Sequence, residues 1–388
     1  MQPNVDHAAG PLSGIRVVDL SDTFMAPYTT LLLAQMGAEV IKVELPEGDV
    51  TRQINDVTST GCGPVFINAN RGKLSIVLDL RQDADYQAFT RLIAQSDVFV
   101  HNRRPRAAVR LKIDHDSLRS INPRLIHASA FGYASDGPYA NRAAYDDVIQ
   151  AACGLASVQS AGGEPAYVRS VIADKTTGLM LFGSIVAALY ERERSGEGQA
   201  VEVPMFETMV SFLLLDQQGG FVFDPPLGPA GYARTASPYR RPYRTSDGLL
   251  SVLVYTDAQW KAFFDIVGKP HLAKDPHYET IRARTEHIDA LYAQLESELL
   301  HRTSEEWLSL FDEHGIPASE VNSVEDLLND PQVAAVGLIE SDRHPLAGTV
   351  RTARLPVAYS RTPLGRIRPA PALGEHNETI RARLDAPQ

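Results

Sequence analysis

The chain has 388 residues, of which 44% are hydrophobic and 22% charged, and its formal net charge at pH 7 is −11. This length exceeds what one compact core usually contains, so a globular protein of two domains is expected. The acidic balance argues against a nucleic-acid surface, no apolar run of membrane-spanning length is apparent, and the two cysteines, Cys62 and Cys153, are too few for a disulfide scaffold or a Cys-based zinc site.

The first third of the chain alternates β-rich apolar runs with helical patterns. Strands are predicted at Ile15–Leu20, Glu39–Glu44, Leu74–Leu80, Asp97–Asn102 and Leu125–Phe131, and helices at Ala26–Met36, Asp83–Gln95 and Ala107–Lys112. This alternation predicts an α/β fold with a doubly wound, mostly parallel sheet of the Rossmann-like type. The turn after the first strand, Ser21–Pro27, lacks the glycines that bring a dinucleotide close to a helix, so a nicotinamide or flavin cofactor bound in the usual way is not expected.

Beyond the middle of the chain a long amphipathic helix is predicted over Lys175–Arg194, followed by a strand at Val201–Met205 and a helix at Phe206–Leu215. The segment Gly219–Gly248 is rich in Gly, Pro, Tyr and Arg, which is typical of a long connection between domains. A smaller α+β unit follows. Its predicted elements are a strand at Leu249–Tyr255 and helices at Gln259–Val267, Ile288–Leu300 and Ser304–Glu313.

Asp174 stands where an apolar run ends and the long helix begins. The unpaired N–H groups and the positive end of the helix dipole favour a carboxylate there, or an oxyanion that forms beside it. Two interpretations fit this position: an ordinary helix cap, for which Asp is a preferred residue, or a catalytic nucleophile. The helix pattern by itself does not separate them.

The N-terminal segment carries no sign of a secretory leader. Residues Met1 to Leu12 have neither a basic start nor an apolar stretch, which makes the cytoplasm the expected compartment. The thiols of Cys62 and Cys153 are expected to be buried and inert.

Six short segments together resemble the family III CoA-transferases, a group that includes formyl-CoA:oxalate and carnitine CoA-transferases and the 2-methylacyl-CoA racemases. The matching segments are PLSGIRVVDL (11–20), LAQMGAEVIKVE (33–44), NRGKLSI (70–76), DVFVHN (97–102), RSGEGQ (194–199) and LGEHN (373–377). The resemblance spans nearly the whole chain, and it places Asp174 where the family has its catalytic aspartate.

The resemblance implies that CoA moves from an acyl-CoA thioester to a free carboxylic acid through a mixed anhydride and then an aspartyl-CoA thioester on Asp174. Covalent steps of this kind divide a difficult exchange into easier ones. Neither a metal nor a tightly bound cofactor is required, since coenzyme A enters as part of the substrate. The implied partners are therefore an acyl-CoA donor and a small carboxylic acid acceptor, with no nucleic acid and no membrane.

The same resemblance assigns residues to the coenzyme site. They are Leu78, Arg81, Asn102, Arg103, Arg110 and Tyr145. Arginines suit the diphosphate and ribose phosphate of CoA because their guanidinium groups bind oxyanions through paired hydrogen bonds. Without the resemblance, Arg81 and Arg110 are read as solvated surface charges, whereas Asn102 follows a strand and faces the crevice where open α/β sheets bind ligands. Arg71 and Lys73 are further possible phosphate partners.

Each tetrahedral intermediate of this chemistry carries an oxyanion, which needs hydrogen-bond donors. Candidates are the helix start at Lys175–Thr177 and the loop Ala233–Ser237. Formyl-CoA transferases resemble one another in a tetraglycine loop in this second region, whereas the chain reads Ala-Arg-Thr-Ala-Ser. A glycine lid over a very small acyl group, and with it formyl or oxalyl specificity, is therefore not expected.

Tyr145 discriminates between two reactions of the resembling group. The racemases have a Gly-His-Asp motif whose histidine exchanges a proton, whereas the matching stretch here is Ala-Ala-Tyr-Asp at 143–146. A tyrosine with an ordinary pKa near 10 is a poor acid–base partner at neutral pH, so the racemase is the alternative and not the first choice. A non-catalytic CoA-binding subunit is a further alternative, and a serine hydrolase is disfavoured because no Gly-x-Ser-x-Gly motif is present.

The family's architecture implies a large domain built from both ends of the chain and a homodimer of interlocked rings. The expected division is a first part of the large domain at 1–205, a linker at 206–230, the small domain at 231–325, and a return linker with the rest of the large domain at 326–388. Tyr239, Arg240, Arg241 and Tyr243 hint at a larger or dicarboxylic acyl group such as succinyl, although the same residues can serve packing instead.

Overall fold

The structure is a computed structural model that describes residues 9–160 and 163–386. The expectation about a leader drawn from Met1 to Leu12 therefore falls mainly outside the described residues. Contacts divide the chain into two compact units. The larger unit comprises the chain up to Leu155, Tyr167–Phe212 and the chain from Gln332 onward, and the smaller unit comprises Ala156–Ala166 and Leu213–Pro331.

The elements within the described ranges are numbered in chain order. The strands are β1 (Arg16–Leu20), β2 (Glu39–Glu44), β3 (Lys73–Val77), β4 (Val98–His101), β5 (Ile126–Phe131), β6 (Ala200–Pro204), β7 (Tyr243–Arg244), β8 (Leu249–Val252), β9 (Ala318–Glu320), β10 (Ile339–His344) and β11 (Gly348–Ala353). The helices are α1 (Met25–Gln35), α2 (Pro64–Asn70), α3 (Asp83–Ala94), α4 (Pro105–Arg110), α5 (His115–Arg119), α6 (Asp146–Ala152), α7 (Leu155–Gln159), α8 (Ile172–Ser195), α9 (Met205–Gln217), α10 (Ala233–Ala236), α11 (Asp257–Ile266), α12 (Ile281–Glu286), α13 (Ile288–Leu299), α14 (Ser304–Glu313), α15 (Pro331–Ala335) and α16 (Asn377–Asp385).

The larger unit is built on a six-stranded sheet in the order β3-β2-β1-β4-β5-β6. Every neighbouring pair in this sheet is parallel. The prediction of a mixed α/β fold with a parallel, Rossmann-like sheet is confirmed. The order reverses between β1 and β4, and in open α/β sheets such a reversal opens a crevice at the carboxyl ends of the strands.

Helices cover both faces of this sheet, which explains why its central strands are nearly continuous apolar runs. Successive residues of one strand point to opposite faces, so Val17 packs with α1 and α8 while Val18 packs with α3 and α16. The same alternation separates Val40 from Ile41. Two hydrophobic cores therefore enclose the sheet and hold the strand ends in register.

Helix α8 packs closely against α1 because one of its residues is a glycine. A Cβ atom at Gly178 would lie 2.7 Å from the carbonyl oxygen of Met25, and Thr29 Oγ1 donates a 2.9 Å hydrogen bond to the Gly178 carbonyl. Among the described residues α8 alone has the length and mean hydropathy of a membrane-spanning helix, contrary to the sequence expectation that no segment does. Core helices of globular proteins meet the same criterion, and α8 packs its buried side chains, such as Leu181 and Ile185, into the larger unit.

The LGEHN segment at 373–377, one of the motifs of the sequence analysis, covers the edge of the large sheet. The backbone N–H of Ser75 donates to His376 Nδ1 at 3.1 Å, and that of Val77 donates to Asn377 Oδ1 at 2.8 Å. The N–H of His376 in turn donates to the Ser75 carbonyl at 3.0 Å. Strand β3 is an edge strand, and these side chains satisfy groups that would otherwise be open to pairing with another chain.

The smaller unit consists of a three-stranded antiparallel sheet, β7-β8-β9, packed with α11, α13 and α14. Its core is aromatic and includes Trp260, Phe263, Trp307 and Phe311, each at most 1% exposed. Capping boxes begin α11 and α14, where a threonine side chain and the Gln or Glu three residues later satisfy each other's backbone N–H groups.

The antiparallel hairpin β10–β11 of the larger unit lies in the segment where a return linker is predicted. Its first strand reads Ile-Glu-Ser-Asp-Arg-His, which lacks the alternation of apolar residues from which strands are recognised. The strand forms because Gly348, with φ 76°, completes the turn and the partner strand supplies the hydrogen bonds.

Candidate active site

A cleft of about 310 Å³ opens at the carboxyl ends of β1, β4 and β5 in the larger unit. Its lining residues follow these strands directly or come from the helices beside them. They are Asp22, Thr23, Met25, Asn102, Arg103, Arg104, Ala107, Phe131, Gly132, Arg142, Ala143, Ala144, Tyr145, Asp174 and Met205. The cleft therefore lies at the point where the strand order reverses, which is where this fold class binds ligands.

Two predicted coenzyme-binding residues, Asn102 and Arg103, line this cleft and also join the ends of β1 and β4. Asn102 Nδ2 donates to the Asp22 carbonyl at 2.8 Å, and Arg103 forms an ion pair with the Asp22 carboxylate at 3.0 Å. Both side chains are only partly buried. Other N–H groups of the Arg103 guanidinium are available to a ligand in the cleft, whereas the Asn102 amide donates to both the carbonyl and the carboxylate of Asp22.

Asp174 is the third residue of α8, and its side chain lines the cleft. Val171 occupies the capping position, so Asp174 is not the helix cap. Its carboxylate accepts no hydrogen bond and forms no ion pair within 9–160 and 163–386. Burial, together with the negative charge of nearby Asp146, raises the pKa of Asp174 from 3.8 to about 7.

Asp146, the first residue of α6, satisfies the start of α8. Its carboxylate accepts hydrogen bonds from the backbone N–H groups of Ala173 at 2.7 Å and Asp174 at 3.0 Å, and from Gln150 Nε2 at 2.5 Å. Asp146 thereby takes up the free amides that the sequence analysis assigned to a carboxylate or oxyanion at this helix end. The Asp174 carboxyl is left without that stabilisation, which agrees with the direction of its pKa shift.

The structure bears on both predicted sources of oxyanion donors, the helix start at Lys175–Thr177 and the segment Ala233–Ser237. The N–H of Lys175 donates to the Val171 carbonyl at 3.1 Å, so it is not free. The segment Ala233–Ser237 is not a loop, because Ala233–Ala236 forms the short helix α10. Within it the N–H groups of Thr235 and Ala236 both donate to the Tyr232 carbonyl.

Tyr145, which the resemblance assigned to the coenzyme site, lines the cleft with 71% of its surface exposed. Tyr145 directly precedes Asp146, which accepts a hydrogen bond from the Asp174 N–H. The Tyr-Asp pair that stands where the racemases have His-Asp therefore lies beside Asp174. No histidine is among the described cleft residues. His127 lies in β5, is buried, and has its Nε2 atom 2.8 Å from the Ile113 carbonyl, as a structural residue would.

Arg104 and Arg142 also line the cleft, and the sequence analysis did not single them out. Arg104 Nη1 donates to the Asn141 carbonyl at 3.2 Å, and the Arg142 guanidinium lies 3.8 Å from the centroid of the Tyr139 ring. Arg104 could have been noted because it directly follows Arg103. Nothing in the local pattern marks Arg142, which lies in an irregular segment before α6.

Three other predicted coenzyme-binding residues do not line this cleft. Arg81 is exposed and forms a paired contact with Asp79, with Nε–Oδ1 at 2.7 Å and Nη2–Oδ2 at 2.9 Å. Arg110 is exposed at the end of α4. Leu78 is 1% exposed, so its side chain is part of the core and does not reach a ligand at the surface.

The prediction that Arg71 and Lys73 are possible phosphate partners is wrong, because both side chains are buried and bonded to other parts of the protein. Arg71 is 6% exposed and donates to Thr352 Oγ1 at 2.9 Å and to the Ala353 carbonyl. Lys73 is fully buried and forms an ion pair with Asp19 at 3.0 Å. A basic residue in a turn is expected to be solvated or to bind a ligand. Here the β10–β11 hairpin encloses Arg71, and the large sheet encloses Lys73.

The hint of a dicarboxylic acyl group from the Tyr239–Tyr243 segment loses its support in the smaller unit. Tyr243 is 2% exposed in the aromatic core, and Tyr239 packs against the same core. Arg241 forms an ion pair with Glu296 at 2.9 Å. Packing is the observed role of these residues.

Both cysteines are free and buried, as predicted. Burial raises the pKa of each thiol above its ordinary value, which keeps the thiols protonated and unreactive at neutral pH. Among the residues that the structure describes, no cluster of three or more His, Cys, Asp or Glu side chains is arranged to bind a metal ion.

Comparison with known proteins gives a family match over most of the chain. The model of CoA-transferase family III matches residues 12–377. The succinate–glutarate CoA-transferase of Agrobacterium fabrum is 34% identical, with 97% of this chain and 96% of that protein covered. The acetyl-CoA:oxalate CoA-transferase of Acetobacter aceti is 33% identical, with 98% and 97% covered.

A solved structure shows the same similarity in three dimensions. The crystal structure of a CAIB/BAIF family protein from Brucella suis superposes with a TM-score of 0.82 at 32% sequence identity. The superposition covers 97% of this chain and 100% of that one. Sequence and fold comparisons therefore agree over nearly the full length.

Proposed function

The chain belongs to CoA-transferase family III, and from this premise we propose that it transfers CoA from an acyl-CoA thioester to a free carboxylic acid with Asp174 as the nucleophile. The observation that carries the proposal is the Asp174 carboxyl itself. This group lies in a cleft at the sheet's switch point, has no hydrogen-bond or ion-pair partner within the described part of the chain, and has a pKa raised to about 7. A carboxylate with this pKa is more nucleophilic than an ordinary aspartate and is still substantially ionised at neutral pH.

The proposed reaction proceeds by acyl exchange on this carboxylate. An Asp174 oxygen attacks the thioester carbonyl and the C–S bond breaks. CoA leaves as a thiolate, and the acyl group remains joined to Asp174 as a mixed anhydride. The thiolate then attacks the Asp174 carbonyl, forms an aspartyl-CoA thioester and releases the first acid as a carboxylate. The second acid enters and the two steps run in reverse, which regenerates the Asp174 carboxylate and gives the new acyl-CoA.

Coenzyme binding is proposed for the residues at the carboxyl edge of the sheet. Asn102, Arg103 and Tyr145 line the cleft beside Asp174. Arg81 and Arg110 present exposed guanidinium groups, which can form charge-assisted hydrogen bonds with the phosphates of CoA. The Leu78 side chain is excluded, so a role for that position is limited to its backbone.

The acids exchanged are proposed to be dicarboxylic. The name of the Agrobacterium relative includes succinate and glutarate, and that of the Acetobacter relative includes oxalate beside acetyl-CoA. Succinate, glutarate and oxalate each have two carboxyl groups. The chain covers nearly the whole length of both relatives. A member with this similarity is expected to select from the same chemical class.

Trapping the covalent intermediate tests the proposal. Incubation with succinyl-CoA is expected to give a hydroxylamine-sensitive adduct on the peptide that contains Asp174, detected by mass spectrometry. Asp174→Ala is expected to lower the rate of CoA exchange by a factor on the order of 10⁴ or more, the usual effect of losing a nucleophile. Asp147→Ala, a change of an exposed aspartate on α6, is the matched control and is expected to retain exchange.

The two alternatives give different outcomes in the same assay. A racemase would incorporate deuterium at the substrate α-carbon without exchanging CoA. A non-catalytic CoA-binding subunit would bind CoA and form no adduct. Full exchange activity in Asp174→Ala would overturn the proposal.

A cytoplasmic, interlocked homodimer is proposed as the working state, as the resemblance implies. Large apolar side chains on α9 and the segment after it, such as Leu215 and Leu227, are 88% and 75% exposed in the single chain, which supports a partner surface. Light scattering is expected to give twice the 42.5 kDa mass of one chain. A monomer at working concentration would contradict this state.

A further inference from the structure

Three arginines line the candidate cleft, and two of them are bound to other parts of the protein. Arg103 forms an ion pair with Asp22 at 3.0 Å, and Arg104 donates to the Asn141 carbonyl at 3.2 Å. The guanidinium of Arg142 donates no hydrogen bond to, and forms no ion pair with, any residue in 9–160 and 163–386. Among the three cleft arginines, it alone has none of its five N–H donors bonded to another described residue, whereas Arg103 and Arg104 each have a donor in use.

Although Arg142 has no polar partner, its guanidinium is oriented. The group lies 3.8 Å from the centroid of the Tyr139 ring, and Tyr139 packs edge-on against Tyr133 at 5.5 Å. Tyr133 is 6% exposed, so this aromatic pair is anchored in the core of the larger unit. Contact with the ring face leaves the N–H edge of a guanidinium free for a carboxylate, which it binds through two parallel hydrogen bonds.

Polar and apolar groups both contribute to the remaining surface of the cleft. Its apolar part includes Met25, Phe131, Ala144 and Met205. A Cβ atom at Gly132 would lie 2.5 Å from the Ala144 Cβ, so the strand end and this wall are already in close contact. The cleft thus combines a carboxyl nucleophile, an apolar lining and an unengaged guanidinium.

A chain with a carboxyl group at each end matches this combination. One carboxyl group reacts at Asp174, the methylenes contact the apolar lining, and the far carboxylate meets Arg142. A monocarboxylic acid of equal length would place a methyl group against a guanidinium that lacks a partner. Arg142 is an exposed residue, and charge-assisted hydrogen bonds from its guanidinium to a carboxylate contribute enough to separate two such acids by about 10- to 100-fold.

We propose that Arg142 is the specificity-determining residue of the cleft and binds the distal carboxylate of a dicarboxylic substrate. This inference rests on the proposed function of Asp174 and goes beyond it by assigning the selection of the acid to one residue. The phosphates of CoA are the other anions that could reach a cleft arginine. The two sources differ in what they change: the distal carboxylate affects the choice between acids, whereas a phosphate affects the affinity for CoA with every acid alike.

The test compares wild type with Arg142→Gln and Arg142→Lys on acids of matched length, succinate with butyrate and glutarate with valerate. Wild type is expected to prefer the dicarboxylic acid of each pair. Arg142→Gln is expected to lower kcat/KM for succinate and glutarate by about 10- to 100-fold, mainly through KM, and to leave butyrate and valerate unchanged. Arg142→Lys keeps the charge and is expected to recover part of the loss.

Arg104→Gln is the matched control, because it removes a second guanidinium from the same cleft. It is expected to change kcat/KM for the two acids of a pair by the same factor. The dissociation constant of CoA, measured by calorimetry, is expected to be equal in wild type and Arg142→Gln. Weaker CoA binding in Arg142→Gln, with equal losses for both acids, would assign Arg142 to a phosphate and overturn the inference.

The covalent adduct on Asp174 separates this inference from the function on which it rests. The adduct forms from acyl-CoA before any acceptor acid enters, so it reports the nucleophile alone. An adduct in wild type together with no preference for dicarboxylic acids would overturn the role of Arg142 and leave the transferase intact. Absence of the adduct would overturn both.

Discussion

Two regions of the larger unit bury carboxylates and treat them in opposite ways. Beneath β1–β3, Asp19 and Asp49 are buried beside Lys73 and Lys42, with each pair 3.0 Å apart. At the start of α8, the partly buried Asp174 lines the cleft, and no cation among the residues that the structure describes is bonded to its carboxyl group. The fold supplies both environments, and the presence of a cationic partner decides the state of each acid.

The pKa values follow this difference. Burial alone would raise the pKa of Asp19, but Lys73 and Lys42 outweigh it and hold the pKa below its usual value. Asp174 is only partly buried and has a carboxylate, Asp146, as its neighbour, and burial and this charge together raise its pKa to about 7. The paired charges serve the structure, whereas the acid without a cationic partner is the proposed nucleophile.

The paired region also shapes the cleft. Lys42 Nζ donates to the Ser21 carbonyl at 2.7 Å, and Asp49 Oδ1 accepts from the Thr23 N–H at 3.3 Å. Thr23 lines the cleft with φ 68°, a conformation that a β-branched residue rarely adopts. The buried charges therefore stabilise a strained turn at the site while the site's own acid stays unpaired.

The largest expected effect comes from breaking the paired region. Lys42→Met leaves buried carboxylates without their cation and is expected to lower the free energy of unfolding by about 3–5 kcal/mol, measured by urea denaturation. Arg91→Gln is the control, because it removes an ion pair with Asp385 in which both side chains are largely exposed. It is expected to cost less than about 1 kcal/mol. Equal losses in the two variants would contradict the structural role of the buried pair.

Neutralising Asp174 is expected to raise the free energy of unfolding, whereas Lys42→Met is expected to lower it. The folded-state pKa of Asp174 is raised above its unfolded value, so the folded protein holds this proton more tightly and loses stability as pH rises from about 4 to 7. Asp174→Asn removes that penalty and is expected to stabilise the protein at pH 8 by about 1–3 kcal/mol, and to give no gain below pH 4. Asp147→Asn, at an exposed site, is expected to give no gain at either pH, and a loss of stability in Asp174→Asn at pH 8 would refute the comparison.

The smallest effect sharpens the comparison within the site itself. Asp146→Asn keeps an oxygen that accepts the two α8 amides but removes the charge that raises the pKa of Asp174. The acid limb of kcat/KM against pH is expected to move to lower pH, so relative activity at pH 6 rises by a few fold. An unchanged limb would show that burial alone sets the pKa of Asp174.

The sheet could be predicted from the sequence because each central strand is buried on both faces. The predicted bounds of the first, second and fourth strands lie within a residue of β1, β2 and β4. The hairpin β10–β11 escaped prediction because its strands carry polar residues and depend on each other for hydrogen bonds. The interpretation of the arginine at 71 and the lysine at 73 failed for a related reason. Local sequence shows a charge, and only the packed chain shows the acid, hydroxyl or carbonyl group that the charge meets.

The amino-acid pattern alone determined the class of the fold, the helix that begins near Asp174, and the resemblance from which the chemistry follows, since these depend on short-range periodicity and on motifs. Tertiary structure decided which acids are paired and which are free. Asp146 lies 28 residues before Asp174, yet its carboxylate takes the amides at the start of α8. Asp174 and Arg142 line one cleft at the edge where the carboxyl ends of the parallel strands lie. No local sequence pattern predicts that these two residues share it.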